Sequence, residues 1–241
     1  MSKLGQFSRT ELLLGEAGMD KLAHSTVAIF GVGGVGSFVA EGLARAGIGH
    51  LVLIDNDRIC LTNVNRQIHA TTKTVGALKT ETLKQRILDI NPKAVVDTIE
   101  DFYLPDNAQA FFTQPYDYVV DAIDTLSPKV FLIKSCVEKR IPIISSMGSG
   151  AKMDPSKVTI ADIAKTTYCP LAKAVRQRLT KLGIKQGVTV VYSTESADKS
   201  SVILTEGEHY KKSTTGTISY MPALFGLYLA SHVIRELIKT D

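Results

Sequence analysis

The chain has 241 residues, with 28 lysines and arginines against 24 aspartates and glutamates, 44% hydrophobic residues and a pI near 8.8. That fits a globular protein with a full core, built as one α/β domain with an appended segment or as two small domains. The net charge of +4 permits an anionic partner such as RNA without demonstrating one. Its three cysteines, Cys60, Cys136 and Cys169, form no Cys-x-x-Cys pair, which argues against a disulfide framework and a four-cysteine zinc site and fits a reducing cytoplasm.

Residues 1–11 carry no apolar core of signal-peptide length. Ser8-Arg9-Thr10-Glu11 has capping-box spacing and predicts a helix over 8–21. A βαβ unit follows, with strand 26–30, helix 34–47 and strand 51–54. The polar stretch 55–75 lacks strong periodicity, and a loop of that length in a compact domain is usually functional. Next come a helix over 77–90, ended by Asn91-Pro92, and strands over 94–99, 116–121 and 141–145. Ser127-Pro128 reads as N-cap and first-turn proline of a helix running to Lys139. Beyond Gly150, strands are expected over 158–163 and 188–192, with a basic helix over 171–181 between them.

The apolar run 217–234 has no charged residue and approaches the length of a membrane span. Pro222, Gly226, Ser231 and His232 favour a buried core or dimer helix over a membrane-associated one. The alternation of strands and helices predicts a doubly wound, mostly parallel α/β sheet extended by antiparallel strands from the C-terminal half. The expected division is a nucleotide-binding half, 1–150, and a substrate-facing segment, 151–241, continuing the same sheet.

Gly31-x-Gly33-Gly34-x-Gly36 lies between strand and helix, where a nucleotide phosphate would meet a helix N-terminus. Asp55, closing the second strand about twenty residues on, is placed to grip ribose hydroxyls. To that point NAD and ATP are served equally. Arg66, in Asn63-Val64-Asn65-Arg66-Gln67, and Lys79 then add a planar fork and a point charge suited to a triphosphate. Asp124, at the C-terminal edge of a central strand, is a candidate Mg²⁺ ligand, while Asp121 is divided between a capped strand end and function.

As a spaced set, the glycine turn, Asp55-Asn56-Asp57, Asn63-x-x-Arg66-Gln67, Lys79 and Asp121-x-x-Asp124 resemble the ubiquitin-activating-enzyme-like HesA/MoeB/ThiF superfamily. The resemblance implies a Rossmann-like fold and ATP-dependent adenylation of a carboxylate. It puts Asp55 on the ribose and Asp57 in the same nucleotide-binding set. Asn63, Arg66 and Lys79 fall on the phosphates, Gln67 in support of that loop, and Asp124 on magnesium and the reacting centre. Arg9 matches the position from which family homodimers supply an arginine to the partner's ATP site. Gly148 to Pro155, Asp162 to Thr166, Pro170-Leu171, Val175-Arg176, Tyr192 to Glu195 and the tail from Pro222 to Ser231 look like one branch. That branch dehydrates threonylcarbamoyladenosine at position 37 of tRNA, closing a ring with loss of AMP.

The alternative implied by the superfamily is adenylation of a ubiquitin-like sulfur carrier, with sulfur-relay protein contacts. Ring closure needs no protein nucleophile, so a structural Cys169 is the simpler expectation. For tRNA the candidates are Lys165, Lys173, Arg176, Arg178, Lys181 and Lys185, with Lys211 and Lys212, against a merely solvated helix face. Tyr168 is a candidate, by residue type alone, for stacking on a flipped-out base.

Overall fold

Short β-branched runs separated by helix-period segments give parallel strands that must be covered on both faces. A computed structural model of the protein describes residues 5–204 and 213–239. Its main strands are β1 (Thr26–Phe30), β2 (His50–Ile54), β3 (Val95–Ile99), β4 (Tyr118–Asp121), β5 (Ile143–Ser146), β6 (Val158–Asp162) and β7 (Thr189–Ser193). They form one sheet in the order β3-β2-β1-β4-β5-β7-β6. Six strands run parallel; β6 alone pairs antiparallel, on the outer edge of β7. The expected antiparallel extension is therefore a single strand, because β7 itself lies parallel to β5.

The helices are α1 (Ser8–His24), α2 (Gly36–Ala46), α3 (Lys79–Ile90), α4 (Leu126–Lys139), α5 (Pro170–Lys181) and α6 (Tyr220–Leu237). A small hairpin, β8 (Val202–Leu204) with β9 (Ser213–Thr215), precedes α6. The period of two divides the strands between two cores. Val27, Ile29, Leu51 and Val120 pack with α2 and α6, whereas Ala28, Phe30, Val52 and Val119 pack with α4 and α5. The sheet is thus doubly wound, and the C-terminal edge of its central strands is left for a ligand.

The apolar run near the C-terminus is a core helix. Met221, Phe225, Leu229 and Val233 of α6 are fully buried, and α6 lies so close to α2 that a Cβ at Gly226 would stand 2.5 Å from the Val35 carbonyl. No helix among the described residues is long and apolar enough to cross a membrane.

Several boundaries differ from expectation for local reasons. Ser8 is helical and does not cap α1: Phe7 holds the cap position, and Ser8 Oγ accepts instead from Gly5 N at 2.8 Å. Gly15, at φ 72° and ψ 169°, breaks α1 in the middle. Ser127 and Pro128 lie inside the first turn of α4, with Thr125 at the cap. Residues 77 and 78 lie outside α3 because they close a loop: Ile59 N donates to Ala77 O at 2.9 Å, and Arg58 bridges the extended Leu78.

Candidate active site

The glycine turn is fixed by backbone contacts. Gly31 sits at φ +85°, and a Cβ on it would meet the Ala122 carbonyl at 2.9 Å. At Gly36 a Cβ would fall 1.8 Å from Gly31 O, so no other residue fits. Gly33 is different: a Cβ there makes only an ordinary contact, 3.6 Å from Gln67 Nε2. The protein's own packing leaves room for a side chain at Gly33, so its absence clears space for something approaching the turn. No side chain caps the N-terminus of α2, whose dipole and N–H groups favour an anion.

Asp55 ends β2 beside this turn. Its carboxylate accepts from Val32 N and Asp57 N, each at 2.9 Å. Burial pushes its pKa up, against the pull of Lys79 and those two amides. The polar loop that follows is strapped at its ends, for Gly76 N donates to Ile59 O and Lys79 N to Asp57 O. That closure brings Lys79, 22 positions along the chain from Asp57, to a 2.5 Å contact with the Asp57 carboxylate and to 3.7 Å from Asp55. Lys79 is 6% exposed.

Asn63 anchors the middle of the loop. Its Oδ1 accepts from Cys60 N at 3.0 Å, and its carbonyl accepts from both Arg66 N and Gln67 N. Arg66 donates to Thr62 O at 2.8 Å and Asn65 Oδ1 at 2.9 Å, both neutral oxygens, so its charge stays uncompensated by these bonds. Asn65 Nδ2 donates to Thr217 O, tying the loop to the segment that enters α6. Gln67 and His69 are buried beneath, and neither ring nitrogen of His69 nor Gln67 Oε1 has a hydrogen-bond partner.

Asp124 is exposed just beyond β4, on the loop into α4, with Thr125 Oγ1 donating to it at 3.3 Å. Asp121 ends β4, just before this loop, and is wholly buried with Lys129 and Ser145. Lys129 Nζ is 2.7 Å from Asp121 Oδ2, and Ser145 Oγ donates to the same oxygen at 2.6 Å. Neither Lys129 nor Ser145 stands out in the sequence. The available signal is that Lys129 falls in register with Leu126, Val130 and Ile133 on the apolar face of α4.

Arg9 is not brought to the turn of its own chain. It is exposed on the first half of α1, whose neighbour Phe7 abuts Gly47, at the end of α2 remote from the glycine turn. Leu12 and Leu13 beside it are 86% and 83% exposed.

The basic residues divide as well. Lys165, Lys173, Arg178, Lys181 and Lys185 are exposed. Arg176 is spent internally: its guanidinium donates to the Thr166 carbonyl at 2.9 Å and to Thr166 Oγ1, pinning the turn before α5. Those bonds hold it half-buried against its own loop, which makes it less accessible than the other expected RNA-contact residues. Arg178 reaches Ser127 Oγ at 2.7 Å, three residues beyond Asp124. Lys211 and Lys212 lie outside the described residues. Cys169 is buried at the cap position of α5, and Tyr168 before it is 69% exposed at φ 55°.

Comparison with known proteins gives matches through the whole chain. A family model described as ThiF family matches residues 7–241. The tRNA threonylcarbamoyladenosine dehydratase of Bacillus subtilis is 44% identical over 98% of this chain and 96% of its own length. A crystal structure of Escherichia coli tRNA N6-threonylcarbamoyladenosine dehydratase, TcdA, in complex with ATP, superposes with a TM-score of 0.88 at 37% identity, covering 97% of this chain and 93% of that one. The same enzyme in complex with AMP matches equally well, also at 0.88. By contrast, the adenylyltransferase and sulfurtransferase MOCS3 of Culex quinquefasciatus is 33% identical over only 64% of this chain and 35% of its own.

Proposed function

Since the chain belongs to the ThiF family, we propose that it is an ATP-dependent enzyme that dehydrates threonylcarbamoyladenosine at position 37 of tRNA. The observation that carries this reading is the likeness to the dehydratases over 97–98% of the chain, of which the sulfurtransferase relative covers only 64%. The substrate carboxylate attacks the α-phosphate of ATP, forming an acyl adenylate and releasing pyrophosphate. A nitrogen of the same substrate then attacks the activated carbonyl and expels AMP, so the net loss is one water.

In this reading the space above Gly33 and the N-terminus of α2 receive the phosphates, Gly31, Gly34 and Gly36 shape the turn, and Asp55 accepts from the ribose hydroxyls. Each carboxylate oxygen of Asp55 already takes one amide and has a second lone pair to offer. Arg66 and Lys79 stabilise charge developing on the phosphates and on the departing pyrophosphate. Lys79 enters with one N–H committed to Asp57, which fixes its direction before ATP arrives. Asn63 and Gln67 hold the loop in that shape.

The exposed carboxylate of Asp124 suits Mg²⁺, which takes one or two carboxylates plus the substrate's own phosphates rather than a closed protein cage. Bound there, the ion would neutralise triphosphate charge. Arg9 acts across a homodimer: it stands far from its own turn, and the bare leucines beside it suit a covered face. Residues 1–150 serve the nucleotide, and residues 151–241 face the RNA. Exposed Lys165, Lys173, Arg178 and Lys181 meet backbone phosphates of the tRNA in the cytoplasm.

The test is mass spectrometry of nucleosides from tRNA incubated with enzyme and ATP. The modified adenosine should lose the mass of one water, with AMP formed in equal amount. ATP consumption that responds to a small carrier protein and ignores tRNA would overturn the reading. Asp124→Ala should abolish turnover while leaving the thermal midpoint near that of the parent.

A further inference from the structure

We propose that the buried triad Asp121–Lys129–Ser145 is a positioning network, which sets the Asp124 loop against the glycine turn and so tunes catalysis without touching substrate. This rests on the adenylation reading above. The three side chains come from β4, α4 and β5, all are fully buried, and they close a ring of hydrogen bonds. Lys129 Nζ donates to Asp121 Oδ2 at 2.7 Å and to Ser145 Oγ at 3.2 Å, and Ser145 donates its own proton to Asp121. The second oxygen of Asp121 accepts from Ile123 N at 3.0 Å.

That last bond gives the triad its reach. Ile123 and Ala122 form the backbone on which Gly31 packs, and Asp124 is the next residue. Ala122 N also donates to Phe30 O at 2.8 Å, so the loop is held to β1 from one side and to the triad from the other. A buried ion pair is a poor source of net stability compared with apolar residues of the same shape. What it supplies here is direction: one carboxylate, gripped through one oxygen by a lysine and a serine, orients its other oxygen toward a single amide of the loop. A loop displaced by about 1 Å would carry Asp124 off the reacting phosphate, an error that costs roughly 100-fold in rate.

The experiment avoids breaking the ion pair, since leaving one buried charge alone endangers the fold. Ser145→Ala removes one grip on Asp121, Ser145→Thr restores the hydroxyl, and Asp121→Asn with Lys129→Met removes both charges together. Thermal midpoints, kcat, KM for ATP, and hydrogen exchange with and without ATP are measured for each.

The expected result is a kcat lowered about 10-fold in Ser145→Ala and up to roughly 100-fold in the neutral pair. KM for ATP should stay within about 3-fold, and Ser145→Thr should recover most of the loss. In the parent, ATP should slow exchange in both 31–36 and 122–126; in the variants only the glycine turn should respond. Unchanged kcat in folded variants overturns the proposal, as does a loss of kcat that merely follows the thermal midpoint. The exchange footprint needs ATP alone. A parent that binds ATP with this footprint but fails to dehydrate tRNA would sink the substrate assignment and leave the triad standing.

Discussion

Two lysine–aspartate pairs flank the glycine turn, and they differ in what water can reach. In Lys79–Asp57 the ammonium is buried, but its carboxylate is 57% exposed at the rim. In Lys129–Asp121 both side chains are 0% exposed. The rim pair can exchange its partner for a phosphate, because the Asp57 carboxylate released by Lys79 returns to water. The buried pair cannot: neither charge has a solvent route, and each is left stranded if the other goes. One pair is therefore fit to meet a ligand, and the other to hold a backbone still.

The largest separation between them should come from deleting one partner. Lys129→Ala leaves Asp121 as a buried lone carboxyl and should cost about 3–5 kcal/mol of folding stability. Asp57→Ala, at the rim, should cost less, since Asp57 is already largely hydrated and Asp55, 3.7 Å from Lys79, remains as its counter-charge. Urea denaturation of both variants checks this. Similar losses in the two would erase the distinction.

A smaller effect bears on the rim pair from beneath. His69 is 3% exposed, and burial together with the charges of Lys79 and Arg86 pulls its pKa down to about 4. The unfolded chain protonates this ring near its ordinary 6.5. The folded protein then binds fewer protons over the interval, so stability is full above pH 6.5 and is lost as pH falls toward 4. The loss reaches on the order of 3 kcal/mol. Asp55 and Asp121, raised by burial, titrate with the opposite sign, so the measurement must be a difference. Unfolding free energy followed from pH 7.5 to 4 should fall less steeply in His69→Leu than in the parent. Lys79→Met should reduce the slope in the same direction, by lifting one of the charges that keeps the ring neutral.

The rim was legible in the sequence and the buried pair was not, for a physical reason. Glycine spacing, an acid at a strand end and a cation at a helix start each report a local backbone geometry that meets a ligand. The ring at Asp121 depends on three elements meeting, and local patterning carries no record of that. Lys129 shares the apolar face of α4 with Leu126, Val130 and Ile133, but its partners emerge only when α4 is laid on β4 and β5. The strands of the main sheet are legible because continuous β-branched runs report burial on both faces, whereas the β8–β9 hairpin has no such run and the helix starts are misplaced. There Ser8 and Ser127 have cap chemistry, but tertiary contacts set where the chain turns.

The contrast of spent against available charge recurs on α5 at the lowest energy. Arg176 and Arg178 are two residues apart and looked alike in sequence, yet Arg176 is bonded into the Thr166 turn and Arg178 stands exposed beside Ser127. Arg178→Ala should weaken tRNA binding modestly and lower the slope of log K against log salt by about one, the signature of a single lost phosphate contact. Arg176→Ala should leave that slope alone and cost about 1–3 kcal/mol of stability through its abandoned acceptors. A salt titration of tRNA affinity with both variants decides the matter. If Arg176→Ala lowers the slope as much as Arg178→Ala, then the Thr166 bonds open when RNA arrives, and a charge counted as spent is held in reserve.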